Sequence, residues 1–403
     1  MKYLNGKYRV ESVDIGRISK KFGTPAYIYS YEVIKNNINK FKKNFKNINP
    51  LICFSIKSNS NFNIIKIMNS FKIGADVVSL GELKLALKAG INPEKIVFSG
   101  VGKKREEIEY AIRKKILLIN AESENEVIEI ENIARKLNKK VKIGLRLNPD
   151  TDARTLKYIS TGKKENKFGV SLGVFLRIIN KFRNSRYLNI VCLSVHIGSQ
   201  ITSHKPYEKM IKIVQATINR CKYNFEYIDL GGGMGIRYGN EKEINYKKYL
   251  NLIINFLKNK KSKIIFEPGR SLIGNAGLLI SKIIYIKDAG TKKFVILDTG
   301  MNDLIRPALY NAKHKIIPYK RSNKSTNKKH EFVGPICETT DSFGVLKKFQ
   351  KLKQGDILII KDVGAYGKVL SSNYNLRPLG PEILVKKSKY KIIKRRQKIS
   401  DLI

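Results

Sequence analysis

Three polar features of the sequence each follow a short apolar run and could take part in catalysis. Lys57 ends the segment CFSIK, where burial would favour the neutral amine, and a neutral amine can form a Schiff base with a carbonyl group. Gly231–Gly233 follow FEYIDL, and a glycine turn lets backbone N–H groups approach an anion closely. Glu267 and Arg270 share the turn EPGR, which places a carboxylate and a guanidinium on one loop.

His196, which ends the segment SVH, adds a planar side chain to this set. Pyridoxal phosphate needs from a protein a reactive lysine, a turn that binds its phosphate, an acid for its ring nitrogen and a planar side chain that packs on its ring. The acid would be Glu267, which would keep the pyridine nitrogen protonated and strengthen the ring as an electron sink when CO2 departs. Taken singly, each residue also fits a solvated strand end, a core histidine or an exposed Glu–Arg ion pair. Their recurrence at the ends of apolar runs favours one shared site.

The apolar runs alternate with helix-length segments. Apolar residues fall at helical spacing in Ser79–Ala89 and Glu122–Leu137. Since each connection can hold a helix, the alternation predicts parallel strands, either closed into a (β/α)8 barrel or arranged as an open doubly wound sheet. The barrel is favoured because Asn120, Asn148 and Ser199 also follow runs, and loops after barrel strands converge on one face. The predicted strands are Leu51–Ile56, Ala75–Leu80, Ile96–Ser99, Ile116–Ile119, Val141–Leu147, Ile190–Ile197, Phe225–Leu230 and Ile264–Phe266.

The pattern of the sequence changes after about residue 275. Short apolar runs separated by turn residues, such as Leu278–Ile286 and Ile357–Ile360, predict an antiparallel β-domain. The predicted fold class is therefore α/β, with a (β/α)8 TIM barrel over 29–275 and a C-terminal antiparallel β-domain over 276–403. The basic stretch 386–403 predicts a frayed or weakly helical tail.

The composition excludes several classes of protein. With 403 residues, 42% of them hydrophobic, the chain is long enough for a barrel and a second domain, which excludes a disordered protein. No apolar run approaches the roughly 18 residues of a membrane-spanning helix, and the scattered cysteines suggest neither a metal site nor a disulfide framework. The start MKYLNGKYRV lacks the apolar core of a secretory signal, so a cytoplasmic location is expected and a membrane partner is not.

The net charge of +46, from 79 Lys and Arg against 33 Asp and Glu, would ordinarily suggest nucleic acid as a partner. The basic residues are mostly lysines spread along the whole chain beside abundant Asn and Ile, as expected from an A+T-rich genome. We therefore do not expect nucleic acid as a partner. A selected polyanion-binding surface is the alternative.

The chain carries a series of motifs in one order: FGTPAYIYS (22–30), FSIKSNSN (54–61), GADVVSLGEL (74–83), KIVFSGVGK (95–103), STGKKENKFG (160–169), SVHIGSQ (194–200), DLGGG (229–233), EPGRSLIGNAG (267–277), MNDLIRPALY (301–310), GPICETTD (334–341) and GAYG (364–367). Together they resemble the PLP-dependent diaminopimelate decarboxylases of the alanine-racemase-like barrel group. The resemblance spans roughly residues 3–385. It implies a barrel, a β-domain joined by the N-terminal segment 1–28, and a homodimer whose active sites are completed across the interface.

The resemblance also implies a cofactor, pyridoxal 5′-phosphate, and roles for the residues around it. Lys57 would be the lysine that binds the cofactor, His196 would lie on its ring face, and Glu267 would meet the pyridine nitrogen. Tyr366 would lie close to the cofactor. The phosphate would be held by Ser199, Gly231, Gly232, Gly233, Gly269 and Arg270.

The implied reaction is decarboxylation of meso-2,6-diaminopimelate to L-lysine and CO2, the last step of lysine biosynthesis. Glu338 would bind the distal ammonium group, and Cys337 of the partner subunit would protonate the carbanion. A substrate with an amino-carboxylate at each end needs charged partners at both ends, because a buried unpaired charge costs several kcal/mol. The implied substrate contacts are Arg270, Arg306, Tyr310, Glu338 and Tyr366.

Two alternatives stay open. The related ornithine- and arginine-type decarboxylases typically follow the cysteine with Asp rather than with Glu338. A non-catalytic PLP- or polyanion-binding protein would explain the charge and three departures from the family pattern: Leu80 for a glycine, Leu156 for a histidine, and Thr339-Thr340 for a Ser-Gly pair. A β-branched residue resists the positive φ that glycine adopts, so the Thr pair bears on the backbone beside Cys337.

Overall fold

The computed structural model describes residues 1–153, 161–163, 165–258 and 260–403. Leu156, one of the departures from the family pattern, lies outside them. The described residues form two compact units. The barrel unit comprises Asn39–Ile236 and Lys242–Ser271, and the β-domain unit comprises Met1–Ile38, Arg237–Glu241 and Leu272–Ile403.

Parallel strands of the barrel unit close into a ring, which confirms the predicted barrel. The ring closes where the last strand pairs with the first, with Ile265 opposite Leu51 and Phe266 opposite Ile52. This pairing excludes the open doubly wound sheet, which would leave two edge strands. The eight strands are Leu51–Ser55, Gly74–Val77, Ile96–Phe98, Leu118–Ala121, Val141–Leu147, Leu188–Val195, Tyr227–Asp229 and Lys263–Phe266.

Helices fill the connections between these strands, as the periodicity predicts. Ser79 and Ser123 each cap a helix by accepting a hydrogen bond from the backbone N–H three residues later. Among the described residues, no helix is long and apolar enough to cross a lipid bilayer. The α-helices that precede, connect and follow the barrel strands are Tyr31–Phe45, Phe62–Ser70, Leu80–Lys88, Arg105–Arg113, Glu124–Lys136, Leu172–Phe182, Lys205–Cys221, Tyr246–Leu257 and Arg270–Ile273.

The β-domain unit is built on a nine-stranded sheet. Its longest strand, Gly277–Asp288, pairs antiparallel with Ala26–Ser30, Lys292–Leu297 and Ile357–Lys361. The sheet is mostly antiparallel, in agreement with the prediction, but Lys292–Leu297 and Lys329–Val333 run parallel because a long connection joins them. The other strands of the unit are Lys2–Leu4, Lys7–Val10, Val13–Asp14, Ile316–Pro318, Ser325–Thr326, Ser342–Leu346, Phe349–Gln350, Glu382–Lys386 and Lys389–Lys394, and its helices include Ile15–Phe22 and Arg306–Tyr310.

Both ends of the chain enter this sheet. Ala26–Ser30 lies between Gly277–Asp288 and Glu382–Lys386, and its Ile28 is fully buried in the core of the unit. The expected frayed tail contains a strand instead, Lys389–Lys394, which pairs antiparallel with Glu382–Lys386. Tyr390 and Ile392 alternate with lysines in this strand, so one of its faces is less polar than the other.

Candidate active site

Lys57 follows the first barrel strand, in a short 3-10 helix over Ile56–Ser58. Its Nζ lies 2.9 Å from Oδ2 of Asp76, whose side chain is fully buried. Ser55 donates a 2.5 Å hydrogen bond to the same oxygen. The Lys57 side chain is 35% exposed. The expectation that burial keeps Lys57 neutral is therefore wrong, because the amine is partly exposed and a carboxylate at this distance favours the ammonium.

Glu267 follows the eighth barrel strand and is buried. Its Oε1 accepts a long hydrogen bond, 3.4 Å, from Oγ of Ser99, and the carboxyl group of Asp229 on the seventh strand lies close enough to act on it electrostatically. Burial and the neighbouring Asp229 and Asp76 carboxylates raise the pKa of Glu267 well above its usual value, against a smaller opposite effect of Lys57. A carboxyl group in this state can donate a hydrogen bond as well as accept one.

His196 follows the sixth barrel strand and contacts the glycine turn. The backbone N–H of Gly232 donates to Nδ1 of His196 over 3.1 Å, so a proton on the neutral ring belongs on Nε2. Burial, Arg146 and Lys57 lower the pKa of His196 well below its usual value. The imidazole is therefore neutral at physiological pH, which suits a planar side chain packed against a ring.

The glycine turn requires glycine for both backbone and packing reasons. Gly231 and Gly233 have φ values of 64° and 86°, in the region that side chains with a Cβ disfavour. A Cβ at Gly232 would lie 2.1 Å from the carbonyl oxygen of Glu267. Oη of Tyr207 donates a 2.9 Å hydrogen bond to the carbonyl oxygen of Gly232, which fixes the turn from the helix side.

Arg270 and Ser199, both expected to hold a phosphate, contact each other. Nη2 of Arg270 donates to Oγ of Ser199 over 3.1 Å, and Arg270 is buried. Gly269 packs against Ser58, since a Cβ at Gly269 would lie 2.9 Å from the Ser58 side chain. The structure therefore brings a guanidinium and a hydroxyl from two loops of the barrel unit together.

A cavity of about 390 Å³ opens in the barrel unit, within the roughly 300–1,000 Å³ typical of small-molecule sites. Lys57, His196 and Glu267 all line it, so the structure gathers three predicted site residues around one space. Arg146 lines the same cavity, and its Nη1 lies 2.9 Å from Oε1 of the buried Glu122. This ion pair fixes a cation in the wall of the cavity.

Arg306 belongs to the β-domain unit, where it begins the helix Arg306–Tyr310. The side chain is buried. Nη1 lies 3.0 Å from Oη of Tyr238 and 2.8 Å from Nε2 of His314. Tyr310 is half-buried at the other end of the same helix. Residues four apart lie on one helix face, so Arg306 and Tyr310 are neighbours.

Cys337 and Glu338 lie on an exposed segment of the β-domain unit. Oη of Tyr374 donates a short hydrogen bond to Oε1 of Glu338, and the backbone N–H of Cys337 donates to Oδ1 of Asn375 over 3.2 Å. The other three cysteines are buried, whereas Cys337 is exposed.

The backbone around these residues is left-handed at Tyr366 but not at the Thr pair. Tyr366 is half-buried and has a φ of 56°. Thr339 and Thr340 are not among the described residues with positive φ. The loop beside Cys337 therefore does not need the left-handed backbone that a glycine would supply, and the Thr pair is compatible with it.

Comparisons with known proteins agree with this geometry. Residues 31–274 match the family model described as pyridoxal-dependent decarboxylase, pyridoxal binding domain. The diaminopimelate decarboxylase of Aquifex aeolicus is 40% identical over 402 residues, which cover 98% of this chain and 95% of that protein. The chain belongs to the diaminopimelate decarboxylase family of pyridoxal-dependent enzymes.

Solved structures of diaminopimelate decarboxylases share the fold of the whole chain. The Helicobacter pylori enzyme complexed with L-lysine is 41% identical, with a TM-score of 0.90, over 96% of this chain and 98% of that one. The M. jannaschii enzyme in co-complex with L-lysine is 35% identical, with a TM-score of 0.94, over 100% and 96% of the two chains. The similarity thus includes the β-domain as well as the barrel.

Three charged residues of this decarboxylase site escaped the sequence reasoning. Asp76 and Asp229 lie inside predicted apolar strands rather than after them, and Arg146 lies within the strand Val141–Leu147. The signal was present, because a charged residue in an apolar strand is rarely buried unless it is paired. Each of the three is paired here: Asp76 with Lys57, Arg146 with Glu122, and Asp229 through hydrogen bonds.

Proposed function

We propose that this chain converts meso-2,6-diaminopimelate to L-lysine and CO2, using pyridoxal 5′-phosphate held in the barrel unit. The observation that carries the proposal is the 40% identity to a diaminopimelate decarboxylase over 98% of the chain. At this identity the similarity extends across both units. The cavity lined by Lys57, His196 and Glu267 also supports the proposal, because it brings together the side chains that the reaction needs.

The residues of the cavity fit the cofactor. When bound, pyridoxal phosphate supplies an aldehyde for a lysine amine and a ring that accepts the electron pair left as CO2 departs. Lys57 presents its amine to the cavity, and Asp76, 2.9 Å away, is positioned to take the proton that the ammonium must lose before it reacts. The neutral imidazole of His196 provides a flat face, and Glu267 provides a buried acid for the pyridine nitrogen.

The phosphate would be bound beside the glycine turn, by one hydroxyl and by one cation. The turn Gly231–Gly233 keeps its backbone free of Cβ atoms, so an anion can approach closely. Arg270 and Ser199 already contact each other and would contribute a guanidinium and a hydroxyl, with the backbone of Gly269 beside them. A guanidinium with neighbouring N–H donors is a strong phosphate-binding arrangement.

The substrate would be held by residues of opposite charge at its two ends. Arg270, Arg306 and Tyr310 would bind carboxylate groups, and Glu338 would bind the distal ammonium, with Tyr366 beside both substrate and cofactor. Arg306 is suited to this role because Tyr238 and His314 hold its guanidinium in one orientation. A rigid guanidinium loses little entropy when it forms paired hydrogen bonds with a carboxylate.

Cys337 would donate the proton that replaces the departing CO2, and it would do so in the active site of a partner subunit. Its exposure and that of Glu338 agree with residues that serve a site completed in a homodimer. We place the reaction in the cytoplasm, as expected for a biosynthetic enzyme with reduced thiols.

The proposal is tested by identifying the product when three substrates compete. The purified protein, supplied with pyridoxal 5′-phosphate, is incubated with equal amounts of meso-diaminopimelate, ornithine and arginine, and the products are identified by mass spectrometry. We expect lysine to be the main product. Putrescine or agmatine would instead indicate an ornithine- or arginine-type decarboxylase of the same fold, and no product from cofactor-loaded protein would indicate a binding protein without catalysis.

A further inference from the structure

One terminal nitrogen of the Arg306 side chain already has two hydrogen-bond partners in the β-domain unit. Nη1 lies 3.0 Å from Oη of Tyr238 and 2.8 Å from Nε2 of His314. A terminal guanidinium nitrogen carries two N–H groups and accepts no hydrogen bonds, so both partners accept from it. Nη1 therefore has no N–H group left for a substrate.

The contact with Arg306 fixes the position of the proton on the ring of His314, a side chain that is 8% exposed. Nε2 accepts from the guanidinium, so it carries no proton. Nδ1 lies 2.9 Å from the carbonyl oxygen of Lys361, and a carbonyl oxygen can only accept, so Nδ1 carries the proton. A doubly protonated ring would turn a donor towards the guanidinium and bring two like charges together. The contacts are therefore those of a neutral imidazole with its proton on Nδ1.

The acceptor for Nδ1 belongs to a rigid part of the sheet. Lys361 ends the strand Ile357–Lys361, which pairs with a strand on each side. The backbone N–H of Lys361 donates to the carbonyl oxygen of Lys315 over 3.0 Å, which holds the residue after His314 beside the end of this strand. The imidazole is thus bonded to the sheet through Nδ1 and to the guanidinium through Nε2.

The ring of Tyr238 restricts the guanidinium as well. Cζ of Arg306 lies 5.0 Å from the centroid of this ring. The same ring meets that of His314 edge-on, with centroids 5.2 Å apart and an angle of 85° between the planes. Rotation of the guanidinium would therefore break two hydrogen bonds and lose a cation–π contact.

We infer that His314 is a positioning residue that turns Arg306 so that the Nε–Nη2 edge of its guanidinium binds a carboxylate group of the substrate. The inference deepens the proposed function and rests on it. The N–H groups of Nε and Nη2 on this edge are parallel and match the two oxygens of a carboxylate. The edge formed by Nη1 and Nη2 cannot do so, because both N–H groups of Nη1 are used.

Nitrogen NMR of the histidine rings tests the tautomer without cofactor or substrate. The chain has four histidines, so isotope-labelled histidine gives few ring signals, and their absence in His314→Gln or His314→Asn identifies those of His314. We expect a protonated Nδ1 and an unprotonated Nε2 at neutral pH. A proton on Nε2, or on both nitrogens, would overturn the inference.

Steady-state kinetics with meso-diaminopimelate test the function of this arrangement. His314→Phe keeps a ring but removes the acceptor, so we expect KM to rise about tenfold, the cost of one hydrogen bond to a charged group. The kcat and the affinity for pyridoxal phosphate should change much less. His314→Gln should recover most of the loss, because its Oε1 can accept in place of Nε2.

The matched control is His330→Phe, which changes another buried histidine of the same unit. The ring of His330 stacks on that of Phe332, with centroids 6.3 Å apart, and the variant should leave KM unchanged. Equal increases of KM in His314→Phe and His314→Gln, or loss of cofactor affinity along with KM, would overturn the inference. Absence of turnover in the wild-type protein would instead overturn the proposed function, and the NMR result would still decide the position of the His314 proton.

Discussion

The charge of each side chain in the barrel site is set by the surroundings that the fold gives it. Asp76 holds the ammonium of Lys57, Glu122 holds the guanidinium of Arg146, and burial keeps His196 neutral. The chemistry assigned to Lys57 therefore depends on Asp76 as much as on the lysine. Desolvation alone, which the sequence suggested, would instead favour the neutral amine.

Asp362 in the β-domain unit gives a pH prediction with a definite sign. Burial raises its pKa to about 6, above the roughly 3.9 of an unfolded chain. The folded state therefore binds the proton more tightly, and stability is lost as the pH rises from about 4 to about 6. We expect Asp362→Asn to raise the free energy of unfolding by about 1–2 kcal/mol at pH 7.5 and to have little effect at pH 4. Urea denaturation at both pH values measures this, and an equal effect at the two would contradict it.

Glu338 provides a prediction about substrate selection. We expect Glu338→Ala to raise the KM for meso-diaminopimelate by about tenfold or more, because the distal ammonium loses its partner. The affinity for pyridoxal phosphate should change much less. Glu338→Asp is the matched variant, since it keeps the charge and should keep more of the binding. Equal losses of cofactor and substrate affinity in Glu338→Ala would show that the residue supports the fold of the site rather than the substrate.

At the scale of elements, the helix Lys205–Cys221 holds the glycine turn through one hydroxyl. Tyr207 stacks on Tyr249 with ring centroids 4.3 Å apart, and both rings are fully buried. Oη of Tyr207 bonds to the Gly232 carbonyl, whereas Oη of Tyr249 has no hydrogen-bond partner within the described part of the chain. The two hydroxyls form a matched pair for testing this support.

We expect Tyr207→Phe to weaken binding of pyridoxal phosphate about fivefold, since one hydrogen bond contributes about 1 kcal/mol. Tyr249→Phe removes a buried hydroxyl that lacks a partner, so it should leave the affinity unchanged and stability equal or slightly higher. Cofactor titration followed by absorbance, with thermal denaturation of both variants, makes the comparison. Equal affinities in the two variants would refute the support of the turn by Tyr207.

A comparison of the predicted strands with the observed ones shows which structural features a sequence pattern can reveal. Each barrel strand corresponds to an apolar run, and the polar residues after the runs point to Lys57, His196 and Glu267, which do line one cavity. The pairings that define Asp229 could not be predicted, because hydrogen bonds between residues of different strands depend on the register of the closed barrel. The strand Lys389–Lys394 was missed because its lysines hid a two-residue alternation of Tyr390 and Ile392.

At the scale of the whole molecule, the proposed reaction uses Lys57 of one subunit and Cys337 of a second subunit. Mixing two inactive variants tests this. If Lys57→Ala and Cys337→Ala subunits exchange freely, half of the dimers are mixed and each mixed dimer has one intact site. We expect recovery of about a quarter of wild-type activity in that case. Recovery of none, with exchange verified by mass spectrometry, would place Lys57 and Cys337 of one subunit in the same site.

The central claim is that this chain decarboxylates meso-diaminopimelate through Lys57. The most direct measurement supplies the substrate with a labelled carboxyl group and follows the labelled CO2 and the lysine formed. The account predicts equal amounts of both from the wild-type protein and from the surface control Lys66→Ala, and a loss on the order of a thousandfold or more in a folded Lys57→Ala variant. Labelled CO2 released by Lys57→Ala at the wild-type rate would contradict the account.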